Sequence, residues 1–267
     1  MKILVCGDVV GKSGREAIKS YIPELQKKHS LDLIIVNGEN AAHGFGLNQK
    51  ICQEFYDCGV DVITTGNHVW DQRDFAHDIE NNPTVIRPLN YPQQAPGKGY
   101  VVHKLAYGRK VLVINVMGNL FMDSLNLAFP AVENVVNFYD LGKDVAATIV
   151  DVHAEATSEK NAMGYFLDGR VSAVVGTHTH IPTSDTRILP RGTGYQTDLG
   201  MCGDYNSVVG FCSEQPVKRF LKHGPTERLS PAEGPGTLSG TLITTDDETG
   251  LCREILPIVQ GPHLINR

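Results

Sequence analysis

The amino-acid sequence predicts an α/β protein in which two sheets pack face to face with helices outside. Three observations carry that expectation. As far as Pro88, short apolar runs alternate with segments of helical spacing, the pattern of a parallel sheet with crossover helices. From Gly99 onward, strand-like runs separated by tight turns take over, as in antiparallel hairpins. The buried runs also end in similar polar clusters: Gly7-Asp8, Asn37-Gly38-Glu39-Asn40, Gly66-Asn67-His68, Asp151-Val152-His153 and Gly176-Thr177-His178-Thr179-His180.

Lys2 to Cys6 reads as the first strand, and Arg15 to His29 as a helix irregular only at Pro23. Leu31 to Val36 is almost continuously apolar, as a parallel strand buried on both faces requires. Asn48 can cap a helix running to about Cys58, Gly59 fits its C-terminal cap, and Val60 to Thr64 supplies the next strand. Asp71 can cap a further helix through about Glu80, before a short extended piece between Pro83 and Pro88. Tyr100 to Leu105 and Lys110 to Asn115 flank Gly108-Arg109 as a hairpin. Pro130 starts a helix over Val132 to Tyr139, after a loop from Gly118 to Phe129. Ala146 to Val150 and Ala173 to Gly176 are buried strands on either side of a helix that Ser158 caps and Asp168-Gly169 ends. Arg187 to Leu189, Tyr195 to Thr197, Thr237 to Thr244 and Leu251 to Ile258 are strand-like, and the last two pair across a turn. Ser213 caps a helix ending near His223-Gly224, ahead of a loop to Gly236 rich in proline and glycine. No fixed-period repeat interrupts this order, so residues 1–267 are expected to form a single domain.

A chain of 267 residues that is 41% hydrophobic can bury one large core. Its formal charge of -6 argues against direct binding of large nucleic acids, which favour a basic face. A small phosphorylated substrate held through metal ions is compatible with it. Cys6, Cys52, Cys58, Cys202, Cys212 and Cys252 lie scattered without CxxC spacing, which indicates neither a thiolate zinc site nor a disulfide framework. No apolar run approaches the roughly 18 residues of a membrane span, and the expected setting is cytoplasmic with no membrane contact.

Carboxylate, imidazole and amide oxygen suit divalent first-row metals, and two ions can share a bridging carboxylate. Asp8, Glu39, Asn40, Asn67, His153, His178 and His180 are the candidate ligands, each at or just past a buried strand, where open α/β sheets bind ligands. His178 and His180 would share a face in extended backbone and could serve two adjacent ions. The isolated His29, His77, His103, His223 and His263 read as surface or packing residues. Cys6-Gly7-Asp8-Val9-Val10-Gly11-Lys12-Ser13 nearly matches a phosphate-binding loop, but has Cys6 where that motif needs glycine.

The ordered blocks Gly7-Asp8, Gly66-Asn67-His68 with Asp71, His153 and Gly176-Thr177-His178-Thr179-His180 resemble those of the calcineurin-like metallophosphoesterases. Two departures stand out: Val10 replaces the histidine of the usual Asp-x-His block, and Gly38-Glu39-Asn40 replaces the usual bridging aspartate. With Asp151 to Lys160 and Gly194 to Met201, this variant closely resembles the bacterial YmdB-like phosphodiesterase family over nearly the full length. The resemblance implies a four-layer α/β/β/α sandwich, a dinuclear iron or manganese centre and hydrolysis of cyclic nucleotides, most often the 2',3'-cyclic kind. It places Asp8, Asn40 and His180 on one metal, Asn67, His153 and His178 on the other, and Glu39 between them.

His68 is then left free of metal. Two ions about 3.5–4 Å apart can share a hydroxide that attacks phosphorus, and His68 is the expected proton donor to the leaving alkoxide. Asn119, Thr157, Ser158 and the loop from His43 to Leu47 are candidates for lining the substrate. The expected partner is a small phosphodiester such as a cyclic nucleotide; a homo-oligomer is left open. Two alternatives stay open as well: a metal-dependent phosphomonoesterase, which would use the same core, and a metal-binding regulatory protein acting through RNA or protein partners.

Overall fold

Alternate residues along the buried strands face two different cores, and this sorts the chain into layers. The strands are β1 (Lys2–Val9), β2 (Leu33–Asn37), β3 (Val62–Thr64), β4 (Val85–Ile86), β5 (Tyr100–Lys104), β6 (Lys110–Met117) and β7 (Ala147–His153). They continue with β8 (Ala173–Thr177), β9 (Arg187–Ile188), β10 (Gly194–Gln196), β11 (Met201–Cys202), β12 (Leu238–Thr245) and β13 (Cys252–Gln260). The helices are α1 (Gly11–His29), α2 (Gln49–Asp57), α3 (Phe75–Asp78), α4 (Ala128–Val136), α5 (Thr157–Leu167) and α6 (Glu214–Phe220). The computed structural model describes residues 1–222, 224–225 and 227–266.

One sheet has the order β13-β12-β1-β2-β3-β4, with β11 also paired to the end of β1; the other runs β5-β6-β7-β8-β10-β9. In the first sheet β1 to β4 are parallel and antiparallel β12 and β13 lie on one side; in the second, parallel β6, β7, β8 and β10 have an antiparallel strand at each edge. Ile3, Val5, Leu33 and Ile35 meet Val111, Val113, Ala147 and Ile149 in the core between the sheets. The intervening Leu4, Cys6, Ile34 and Val36 turn outward to Ile18 and Ile22 of α1 and Phe55 of α2. On the second sheet, Leu112, Ile114, Val150 and Val174 meet Val132 of α4 and Met163 and Leu167 of α5. The result is the four-layer α/β/β/α sandwich. Burying each valine, leucine, isoleucine, phenylalanine or methionine among them stabilises the fold by about 1.5–3 kcal/mol relative to exposure.

Several element ends differ from expectation. β1 continues to Val9 because Asp8 pairs with both Asn37 of β2 and Met201 of β11, a two-residue strand that the sequence does not announce. β7 likewise runs through His153, so these two polar residues lie on strands rather than beyond them. α1 begins at Gly11, ahead of Arg15. The helix expected from Asp71 shrinks to α3 and a 3-10 turn at Ile79–Asn81, because the Asp71 carboxylate binds the His68 ring instead of capping backbone. α4 starts at Ala128, leaving Pro130 in the first turn, where its missing N–H costs little. α5 starts at Thr157 after Ala156, so Ser158 lies inside its first turn and is not the cap. Asn48 does cap α2, accepting from Ile51 N at 3.0 Å. α6 ends at Phe220 with Leu221 as its C-cap, short of the end expected near His223-Gly224; His223 itself lies outside the described residues. No helix among the described residues is long and apolar enough to cross a membrane.

Candidate metal centre

The C-terminal ends of β1, β2, β3, β7 and β8 converge, and the first three bring oxygen. Asp8 on β1 is fully buried; its Oδ2 accepts from the backbone N–H of His178 at 3.0 Å. Glu39 follows β2, its N–H donating to Asn37 Oδ1 at 3.1 Å, and its own Oε2 accepts from the N–H of His68 at 3.2 Å. Asn40 donates through Nδ2 to the Gly44 carbonyl at 3.1 Å, which leaves its Oδ1 as the free end. Asn67 after β3 places Oδ1 3.0 Å from His153 Nε2. Gly66 is required here by close approach: a Cβ would lie 2.2 Å from His153 Nε2 and 2.3 Å from Glu39 Oε2.

The second sheet brings nitrogen, and each ring is held by the atom that faces away from the centre. His153 Nδ1 donates to Thr177 Oγ1 at 2.9 Å, and that hydroxyl donates to Asp151 Oδ1 at 2.7 Å. Asp151 is itself buried, and accepts from Thr64 Oγ1 at 2.5 Å and Asn37 Nδ2 at 3.3 Å. His178 Nε2 stands 3.3 Å from Glu155 Oε2, and His180 Nδ1 donates to the Val209 carbonyl at 2.7 Å. Fixing one ring nitrogen as the N–H leaves the other as a lone pair, the usual arrangement behind metal-bound histidine.

The inward-facing nitrogens crowd against one another and against the oxygens. His153 Nε2 lies 3.1 Å from Glu39 Oε1 and 3.1 Å from His178 Nδ1, as well as 3.0 Å from Asn67 Oδ1. His180 Nε2 faces Asp8 Oδ1 at 4.0 Å. Potential ligand atoms of Glu39, His153 and His178 all lie within 4.8 Å of one another, as do those of Asp8, Glu39 and His180, so Glu39 belongs to both groups.

Charge makes the same demand. Burial pushes the Asp8 carboxyl up to about 6, although His180 and His153 pull against it. Burial also works against charge on Glu39, yet the adjoining His153 ring prevails and holds it down at about 2. His153 resists burial in turn, because Glu39 and Asp8 draw it up to about 9. Burial and the neighbouring His153 push His178 down to about 3. The cluster therefore draws positive charge to its middle. Asp8 Oδ1 and Asn40 Oδ1 are buried with no hydrogen-bond partner among the described residues, a costly state for acceptors that face no cation. This donor set of oxygen and imidazole nitrogen fits first-row divalent metals.

His68 sits beside this group without facing it in the same way. Its Nδ1 donates to Asp71 Oδ2 at 2.9 Å, and its ring packs edge-on to Phe45 at 5.1 Å, so the loop from His43 to Leu47 does reach the site. Asn119 is occupied otherwise: it accepts from Ala128 N at 3.1 Å and its own N–H donates to Glu159 at 2.8 Å, which shapes its loop. Thr157 and Ser158 are exposed at the start of α5. His103 and His263 face Asp61 and Asp204 at 3.9 and 3.3 Å, outside the centre. Sequence reasoning did not single out the supports: Asp151, Thr177, Glu155, Val209, Lys160 and Asp198. Most lie inside the quoted blocks, and a requirement that every histidine have a second partner would have pointed to Thr177 and Glu155.

A two-sheet sandwich whose strand ends gather carboxylate, amide and imidazole is the metallophosphoesterase type of fold. The model of the YmdB-like protein family matches residues 4–258, and the chain belongs to that family. A 2',3'-cyclic-nucleotide 2'-phosphodiesterase of Bacillus subtilis (strain 168) is 45% identical over 249 residues, covering 93% of each protein. The crystal structure of a Thermus thermophilus protein superposes with a TM-score of 0.90 at 39% identity, covering 98% of this chain and 99% of that one. A Mycoplasma pneumoniae crystal structure, described as a novel phosphatase, does so with a TM-score of 0.90 at 35% identity, covering 98% and 93%.

Proposed function

We propose that this chain is a metal-dependent phosphodiesterase acting on 2',3'-cyclic nucleotides. The observation that carries the reading is the ring of acceptors around His153 Nε2: Glu39, Asn67 and His178 all within 3.1 Å of an atom whose partner nitrogen is already committed to Thr177. The substrate class is supported by the 45% identical Bacillus subtilis phosphodiesterase. Asp8, Asn40 and His180 would hold one ion, Asn67, His153 and His178 the other, and Glu39 both. Iron or manganese suits these donors. Bound there, the pair supplies Lewis-acid polarisation of the phosphate oxygens and a water acidic enough to ionise near neutral pH.

The chain's own residues do the rest. Thr177, Glu155 and Val209 keep the three rings turned with their lone pairs inward. His68 gives a proton to the departing ribose oxygen, a poor leaving group at neutral pH. Asp71 holds that ring by Nδ1, which leaves Nε2 for the substrate. Residues 1–267 work as one domain, since β1 at the beginning pairs with β12 near the end. The free thiols of Cys6, Cys52 and Cys202 suit the reducing cytoplasm.

A panel of 2',3'-cyclic nucleotides, 3',5'-cyclic nucleotides, open diesters and monoesters, assayed on anaerobically purified protein with its metals quantified, tests this. Turnover confined to monoesters would replace it with the phosphatase reading that the Mycoplasma pneumoniae neighbour's description favours. His68→Ala should keep both ions and lose about 10²–10⁴ in turnover on a cyclic nucleotide. It should lose far less on an aryl diester, whose leaving group needs no acid; equal losses would remove His68 from the proton-donor role.

A further inference from the structure

His178 and His180 both adopt left-handed backbone, with φ of 97° and 65°. Neither is glycine, so both positions are strained and persist only where the surroundings over-determine them. The residue between them shows what does so. Thr179 donates to Asp198 Oδ2 twice, from its N–H at 3.1 Å and from its hydroxyl at 2.8 Å. The same oxygen accepts from Lys160 Nζ at 2.7 Å, and Asp198 Oδ1 accepts from the N–H of Gly200 at 2.8 Å. Lys160 and Asp198 are each 1% exposed, a charge pair fully withdrawn from water.

This pair is tied to the rest of the centre. The Gly200 carbonyl accepts from the N–H of Asp8 at 3.2 Å, and Asp8 Oδ2 in turn accepts from the N–H of His178. The stem of Lys160 lies where a Cβ on Gly176 would come within 2.8 Å of its Cδ and 1.8 Å of the Thr197 carbonyl oxygen. Glycine at that position thus lets the histidine-bearing loop lie against the clamp. Buried ion pairs are weak sources of net stability, because desolvation offsets their attraction. A buried pair whose shared oxygen also receives both polar hydrogens of the residue between two strained histidines has a more specific use.

We propose that Lys160 and Asp198 are positioning residues that hold His178 and His180 in their left-handed conformations and so set the affinity of the metal centre. The inference rests on the proposed role of these histidines as metal ligands. A histidine relaxed to ordinary backbone swings its ring away from Glu39 and Asp8, so loss of the clamp should weaken both ions. It should do so even when the fold itself is intact.

The test uses Mn²⁺ as probe, titrated against a chelator, together with the melting temperature of the metal-free protein. Thr179→Val removes the hydroxyl contact at nearly constant shape; K160M/D198L replaces the ion pair with apolar side chains, a change that buried pairs often tolerate. The expected result for both is a metal-free melting temperature near that of the parent with Mn²⁺ bound about 10–100-fold more weakly. Parent-like Mn²⁺ affinity in a variant that melts like the parent would overturn the clamp; if K160M/D198L does not fold, Thr179→Val decides. Failure of the unaltered protein to bind Mn²⁺ at all would instead overturn the ligand assignment and, with it, this inference.

Discussion

The two sheets contribute different chemistry to one place. The edge formed by β1, β2 and β3 supplies oxygen from Asp8, Glu39, Asn40 and Asn67, and its carboxylates are steadied by backbone N–H groups. The edge formed by β7 and β8 supplies imidazole, and two of its three rings lean on other side chains, Thr177 with Asp151 and Glu155. A carboxylate accepts through either oxygen, whereas an imidazole must be told which nitrogen keeps its proton. The buried scaffold of Asp151, Thr177, Lys160 and Asp198 accordingly backs the nitrogen edge. A strand end can present an oxygen ligand almost unaided, but a histidine ligand needs something behind it.

The two edges meet at Glu39, the side chain common to both candidate ligand groups. Glu39→Gln keeps the shape but not the charge, and elemental analysis should find both ions gone and turnover at background; two retained ions would refute the shared role. Gly66→Ala probes how closely the two edges fit. The new methyl must displace His153 or Glu39, and turnover should fall by about 10² while the far-ultraviolet circular dichroism stays unchanged. Thr177→Val cuts the relay from His153 to Asp151, and on the oxygen edge it removes only a 3.4 Å contact from Asn37 Nδ2, which keeps its other acceptors Asp151 and the Thr65 carbonyl. Metal titration should then resolve one ion bound about 10–100-fold more weakly and one nearly unaffected.

The smallest effect belongs to Asp185, which braces the nitrogen side from a distance. Burial pushes its carboxyl up, but hydrogen bonds from Thr183, Thr197 and Arg187 outweigh that and hold it below the ordinary carboxylate value. A depressed folded-state pKa stabilises the fold above the unfolded value and loses that contribution as pH falls through the folded one. Asp185→Asn should therefore lower the melting temperature slightly at pH 7, and the gap to the parent should close below about pH 4. A gap that persists in acid would show that packing, not charge, sets the difference.

The layering was legible because runs such as Leu33–Val36 are apolar at every position, and only a strand covered on both faces needs that. The side chains that gather at the strand ends were legible because metal chemistry restricts candidate ligands to a few residue types. The clamp was not, since Lys160 and Asp198 are separated by 38 positions and each looks like ordinary surface charge in sequence. Nor was the role of Asp71: an aspartate ahead of a helical stretch reads as a cap, and only the His68 ring three residues back competes for it. Left-handed backbone at His178 and His180 leaves no trace in composition, because neither is glycine.

The pairing of β1 with β12 sets a clock on when this centre can exist. Lys2 sits opposite Thr244 and Cys6 opposite Gly240, so the strand bearing Asp8 is synthesised well before this neighbour. At ordinary elongation rates the interval is on the order of 10–50 s. Throughout it one edge of β1 is unpaired, and a nascent chain carrying every one of the proposed ligands still has its first strand short of its final place. Emergence of β12, rather than of the last proposed ligand at His180, is what gives the strand bearing Asp8 this neighbour.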